Sequence, residues 1–264
     1  METAGYLAAL LIGVSLGLIG GGGSILTIPV LVYLFHIQPT LATGYSLFIV
    51  GCSSLAGAYK NYRRGNINFK AAFYFGTTSI ITILLIRKFL LPVIPEHLFS
   101  IGTFLVSKSL VTMLLFACVM IVASQNMIRR QVDIADLNPD QTVNMGKALL
   151  RGFEVGVLTG LLGAGGGFII IPVLVFSFHL NMKKAIGTSL LIIAMNSLFG
   201  FAGDLSHQTF RWELLIPLTM IAITGTFIGR KLGESVPGER LKKWFGWFVR
   251  IMGIYIIIHE LFLK

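Results

Sequence analysis

Two glycine clusters are the residues best suited to hold a ligand. Gly20, Gly21, Gly22 and Gly23 run consecutively into Ser24, and 143 positions later Gly163, Gly165, Gly166 and Gly167 interrupt a second apolar stretch. Glycine accepts left-handed backbone and lets a ligand come close to the main chain. A helix that starts at such a break presents unpaired N–H groups and a partial positive charge, which suits an anion. In a bilayer, non-helical backbone is buried in protein or lines a wet cavity, so two equivalent breaks point to one shared site near the midplane. Glycines also serve small-xxx-small helix packing, which does not require four in a row.

Two cations lie well inside apolar segments. Lys108 and Arg250 each fall about ten residues in, about 15 Å from either surface, where charge is costly and usually functional. Both are expected to face the glycine breaks and hold an anion; the alternative is that their helices start later and the side chains snorkel. Ser46, Ser189 and Asn196 follow the breaks and can donate to an oxyanion without adding charge. Glu154 has Arg151 one turn earlier as an ion-pair partner. No catalytic residue, metal ligand or cofactor is indicated. Neither glycine cluster is followed by Lys-Ser/Thr, no HExxH occurs, and Asp204 has no second intramembrane Asp beside it. The chain is read as a non-enzyme.

The elements that position these residues are membrane helices. Of 264 residues, 55% are hydrophobic and 12% charged, against about 25% charged in an ordinary globular domain, and apolar runs of about 20 residues recur throughout. The net charge of +10 resides in short loops with no basic stripe for a phosphate backbone, so nucleic acid is not an expected partner. Cys52 and Cys118 read as small buried hydrophobes. Met1, Glu2 and Thr3 form no basic n-region, so the first apolar run is expected to persist in the mature protein.

An offset of 143 aligns Gly13 to Phe69 with Gly156 to Trp212 without a gap, and about 22 of those pairs are identical, the mark of an internal repeat. Eight apolar segments follow, at 4–35, 41–59, 69–86 and 98–128, then 148–178, 185–203, 212–229 and 241–262. Residues 1–128 form a first membrane repeat, 129–147 a polar linker and 148–264 a second repeat. The first segment of each half, at about 46 Å as a helix, exceeds a hydrocarbon core of about 30 Å and is broken midway.

The positive-inside rule chooses between a kinked crossing and a re-entrant hairpin. Crossing leaves basic residues evenly divided. Re-entrant hairpins gather Lys60, Arg63, Arg64, Lys70, Arg129, Arg130, Lys147, Arg151, Lys183, Lys184, Arg230, Lys231, Arg240, Lys242 and Lys243 on one side and leave Arg87, Lys88, Arg211 and Lys264 on the other. The expected architecture is therefore all-α: six crossing helices and two re-entrant hairpins in two inverted repeats. Both termini are then outside and the linker is cytoplasmic.

The paired motifs at Gly17 to Pro29 and Gly160 to Pro172, each followed by Gly-Tyr-Ser-Leu (44–47) or Gly-Thr-Ser-Leu (187–190), resemble the TauE/SafE sulfite-exporter family over essentially the whole chain. That resemblance implies secondary transport of sulfite, organosulfonates or related sulfur anions across a prokaryotic inner membrane, with protons as a candidate coupling ion. The alternative reading is a passive anion channel, in which midplane cations and glycine breaks would look the same. Expected partners are a small anion and the lipid bilayer.

Overall fold

Every apolar segment contains a helix, and the broken ones contain two. The computed structural model describes residues 2–20, 23–101, 104–129, 145–163, 165–178, 180–233 and 238–262. Gly21, Gly22, Lys264 and most of the expected linker at 129–147 lie outside the described residues. Segment 4–35 forms α1 (Glu2–Ile19) and α2 (Ser24–Tyr33), followed by α3 (Pro39–Tyr62) and α4 (Phe69–Leu85). α4 runs on through a π-helical turn, Ile86–Leu90, into the short α5 (Leu91–Val93). After a hairpin of β1 (His97–Ile101) and β2 (Phe104–Ser107) comes α6 (Lys108–Arg129). The second half holds α7 (Met145–Leu162), α8 (Gly167–Phe178), α9 (Met182–Asp204), α10 (Trp212–Gly233) and α11 (Gly238–Phe262).

Helix starts are written locally. Asn68 and Asn181 each accept from a backbone N–H three residues on, Ala71 N at 3.0 Å and Lys184 N at 2.9 Å, and Pro39 opens α3 where its missing N–H is harmless. Five stretches are long and apolar enough to cross a membrane: Pro39–Tyr62, Phe69–Val93, Lys108–Gln125, Lys183–Asp204 and Trp212–Gly233. The sixth expected crossing falls in α11, of 25 residues.

One expectation is corrected. Hydropathy predicts helix from residue 98 in the fourth segment, yet 97–101 and 104–107 pair as an antiparallel ribbon with Ser100 opposite Leu105 and Ile101 opposite Phe104. Hydropathy does not separate a short apolar strand from a helix. The helix consequently begins at Lys108, which stands at its first residue rather than ten residues into it.

Packing interleaves the two halves. α1 lies along α10, α4 along α7, α3 along α9 and α6 along α11, with α10 also touching α3 and α4 touching α9. The 143-residue offset turns α1 into α7, α3 into α9, α4 into α10 and α6 into α11, so each contact has its counterpart. α1 and α10 meet backbone to backbone: a Cβ at Gly13 or Gly17 would strike the carbonyl of Ala222 or Thr226, and one at Gly225 or Gly229 that of Leu10 or Val14. Small residues at this spacing provide the close approach that membrane helices use in place of a hydrophobic drive. Outward faces stay apolar, with Leu7, Phe73, Ile81, Met220 and Ile251 all exposed, an arrangement suited to hydrocarbon and hostile to water.

Candidate functional site

Each broken segment turns back on itself at its glycines. Gly20 (φ +75°) and Gly163 (φ +69°) adopt the left-handed conformation and end α1 and α7 by donating to Leu16 O at 2.8 Å and Thr159 O at 2.9 Å, the helix stop that glycine favours. Just beyond, Gly23 lies against Ile12 and Leu16, and Gly166 against Val155 and Thr159. The chain has therefore reversed before α2 and α8 begin. Each turn rests on the central helix of the other half: a Cβ at Gly20 would crowd Ile186 of α9, and one at Gly163 would strike Thr43 of α3.

Between these turns the interface of α3 and α9 is lined with polar groups. Ser46, Ser53 and Ser54 on α3 match Ser189, Asn196 and Ser197 on α9 under the same offset, and all six are wholly buried. Ser189 Oγ donates to Gly20 O at 2.8 Å, tying α9 to the first turn. Asn196 Nδ2 donates to Ser79 Oγ at 2.8 Å. The hydroxyls of Ser46, Ser53, Ser54 and Ser197, together with Asn196 Oδ1, have no hydrogen-bond partner among the described residues. Buried polar groups are normally satisfied, so such a row calls for explanation. Gly165 (φ +67°) abuts Ser197 and Val50, which brings the second turn to the middle of this row.

A cavity of about 500 Å³ opens at one end of the α3–α9 interface, its wall including Thr43, Arg87, Lys108, Thr112, Asp204 and Gln208. Arg87 is 1% exposed and Asp204 3%. Their side chains form an ion pair between Nη1 and Oδ2. Arg87 Nε donates to Gly160 O at 2.9 Å, in the last turn of α7, while Nη2 has no hydrogen-bond partner among the described residues and lies beside Gly163. The π-turn that carries Arg87 is a common device for re-aiming a side chain at a functional site. Lys108 stands at the same cavity, its Nζ donating to Leu91 O and, at 3.3 Å, to Ile94 O.

At the opposite end of the interface the 61–68 loop packs against α9. A Cβ at Gly187 would strike the Asn66 carbonyl. Asn66 N donates to Asn61 O at 3.0 Å, and Asn68 N to Thr188 Oγ1 at 2.9 Å.

The residues singled out from sequence thus divide. Gly20, Gly23, Ser24, Ser46, Gly163, Gly165, Gly166, Gly167, Ser189 and Asn196 gather at the turns and the central helices. Lys108 lies at the cavity wall near a helix start, and Arg250 lies over the Trp247 ring, 5.5 Å from its centroid, on α11 itself. Arg151 and Glu154 form the anticipated ion pair at 2.7 Å. Sequence reasoning missed Arg87 and Asp204 as a pair; the signal was the offset, which matches Arg87-Lys88 with Arg230-Lys231.

The family described as sulfite exporter TauE/SafE matches residues 6–256. This chain belongs to the TauE/SafE sulfite exporter family. A probable membrane transporter protein of Xylella fastidiosa (strain Temecula1) is 28% identical over 254 residues, covering 94% of this chain and 91% of its own. YdhB, a probable membrane transporter protein of Bacillus subtilis, is 27% identical over 253 residues, covering 95% and 98%. One from Methanocaldococcus jannaschii is 25% identical over 271 residues, covering 96% and 94%. No solved structure matches. As a TauE/SafE protein with apolar helices throughout, the chain is a multi-pass membrane protein of a transporter family.

Proposed function

We propose that this protein is a secondary transporter that moves a small sulfur-containing anion, such as sulfite or a sulfonate, across a prokaryotic inner membrane by alternating access. The observation that carries this reading is the cavity at one end of the α3–α9 interface: Arg87 and Lys108 stand on its wall beside Asp204 and Glu96, and it reaches Thr43, against which the second turn rests.

Inverted repeats fit the same picture. α2 has 10 residues, about 15 Å of helix, half of a hydrocarbon core of about 30 Å, so each broken segment enters and leaves on one side. Each half then crosses three times. The basic loops around Lys60, Lys183 and Arg230 face the cytoplasm by the positive-inside rule, which places both termini and the cavity mouth outside. Arginine and the buried hydroxyls suit a compact oxyanion, since a guanidinium binds two oxygens side by side and hydroxyls add donors without charge.

Uptake of radiolabelled sulfite, sulfate, thiosulfate and a sulfonate into proteoliposomes, with and without a pH gradient, tests the proposal. Concentrative flux of a sulfur anion supports it. Flux that only equilibrates and ignores every imposed gradient would make the protein a channel.

A further inference from the structure

We infer that Arg87 is the residue that captures the transported anion, and that it does so by exchanging Asp204 for the anion when Asp204 takes up a proton from the cavity. This inference rests on the transporter reading above and assigns the chemistry of its outer site.

The three nitrogens of the guanidinium face three surroundings: Nε holds Gly160 O, Nη1 holds the Asp204 carboxylate, and Nη2 is left beside Gly163. Arg87 and Asp204 both line the cavity, so protons and small anions reach the pair from one aqueous side. A buried ion pair stripped of one charge leaves the other uncompensated, a strongly unfavourable state. Protonating Asp204 therefore creates a demand for a new negative charge next to Arg87. A sulfur oxyanion meets it by accepting from Nη1 and Nη2 together, the bidentate geometry that arginine favours. The proton moves from cavity water to a carboxylate oxygen, the Nη1–Oδ2 pairing gives way, and the anion takes its place. For a singly charged anion such as a sulfonate, net charge at the site is the same before and after, so anion and proton bind together.

The other groups around Asp204 do not supply the exchange. Lys108 from α6 and His207 from the following loop lie within electrostatic reach of it; α3 brings Thr43 and the uncharged Gly44; α7 brings the Gly160 carbonyl; and Glu96 acts on Lys108. Among these groups Asp204 alone is paired with Arg87. The repeat is also informative. The offset of 143 maps Arg87 to Arg230 but Asp204 to Asn61, and an amide cannot take up a proton near neutral pH. The exchange thus belongs to the cavity side alone. Because Nε is bonded to the last turn before the Gly163 break, occupancy of Arg87 is felt directly by the segment that reverses there.

The test uses the full chain in proteoliposomes, with thiosulfate and ethanesulfonate as probes because both stay ionised across the range. Between about pH 5.5 and about pH 8 outside, wild-type uptake should fall about tenfold or more, at most tenfold per unit for a single proton. Asp204→Asn should hold its low-pH rate throughout. A second variant, Arg87→Gln with Asp204→Asn, removes both charges and is expected to remain monodisperse, yet to lose about tenfold or more of the flux and the thermal stabilisation by thiosulfate, since it lacks the capturing cation. An Asp204→Asn profile that still follows the wild type, or a neutral pair that transports normally, overturns the inference; should Asp204→Asn not fold, the neutral pair decides. If wild type moves no anion under any gradient, the transporter reading falls by itself. Thiosulfate stabilisation of wild type that is present at low pH, lost at high pH and absent in the neutral pair would still establish the exchange.

Discussion

Ser189 donates its hydroxyl to the carbonyl oxygen of Gly20 at 2.8 Å, joining two residues 169 positions apart. It caps a glycine turn from the helix that the turn rests on. Its counterpart under the repeat, Ser46, is equally buried but has no hydrogen-bond partner among the described residues. The two serines should therefore differ when removed. Ser189→Ala leaves a buried carbonyl unsatisfied and should destabilise by about 1–2 kcal/mol, read as earlier thermal unfolding in detergent. Ser46→Ala should stay within about 0.5 kcal/mol of wild type and instead raise the anion concentration needed for half-maximal uptake. Equal loss of stability in both would show that the two halves are not distinguished in this way.

Gly163 tests the turn itself. An alanine there would sit at positive φ and strike Thr43, so Gly163→Ala should cost about 2 kcal/mol or more and impair uptake. Gly76 lies in α4 with nothing within 4 Å of the place a methyl group would occupy, and Gly76→Ala should be neutral or stabilising by up to about 1 kcal/mol. Paired melting curves separate the two.

The α1–α10 contact gives a packing prediction. Gly229→Val places a branched side chain against the Val14 carbonyl and should abolish a monodisperse peak in size-exclusion chromatography, because no rotamer removes a clash with backbone. A well-behaved Gly229→Val would mean that these helices can separate without loss of the fold.

The two cations named from sequence are expected to behave differently. Lys108→Ala removes a charge from the cavity wall and should raise the half-saturating anion concentration about threefold to tenfold, the effect of a partly solvated charge at an anion path. Arg250→Ala removes a charge stacked on Trp247 and should change uptake less. Saturation curves for both variants check the order.

Orientation can be read from thiol labelling. With Cys52 and Cys118 replaced by Ala, a cysteine at Thr209, on the cavity wall, should react with a membrane-impermeant reagent in intact cells. A cysteine at Arg63, in the loop at the opposite end, should react only after permeabilisation. The reverse pattern would invert the topology inferred from the basic loops.

Much of this was legible in the chain because lipid acts on composition. Apolar runs marked the helices, and the glycine clusters marked where they stop, because few residues other than glycine accept the left-handed turns seen at Gly20 and Gly163. The repeat was visible because equivalent positions kept equivalent residues. The strand pair of 97–101 with 104–107 was not, since its residues are as apolar as a helix and strand pairing depends on a partner rather than on local hydropathy.

Sequence by itself determined a helical membrane protein with two matched glycine breaks, because solvent preference and backbone freedom are properties of residues one at a time. Only the tertiary structure decided which charges far apart in the chain meet. Arg87 lay at the end of one apolar run and Asp204 at the end of another, 117 residues apart, and each alone reads as a boundary residue. Their pairing needed the π-turn to aim Arg87 and the interleaved packing of α4 against α7 and α9 to bring the partner and the Gly160 carbonyl within reach. Charges separated along the chain neutralise one another through space, and the sequence holds no local trace of that distance.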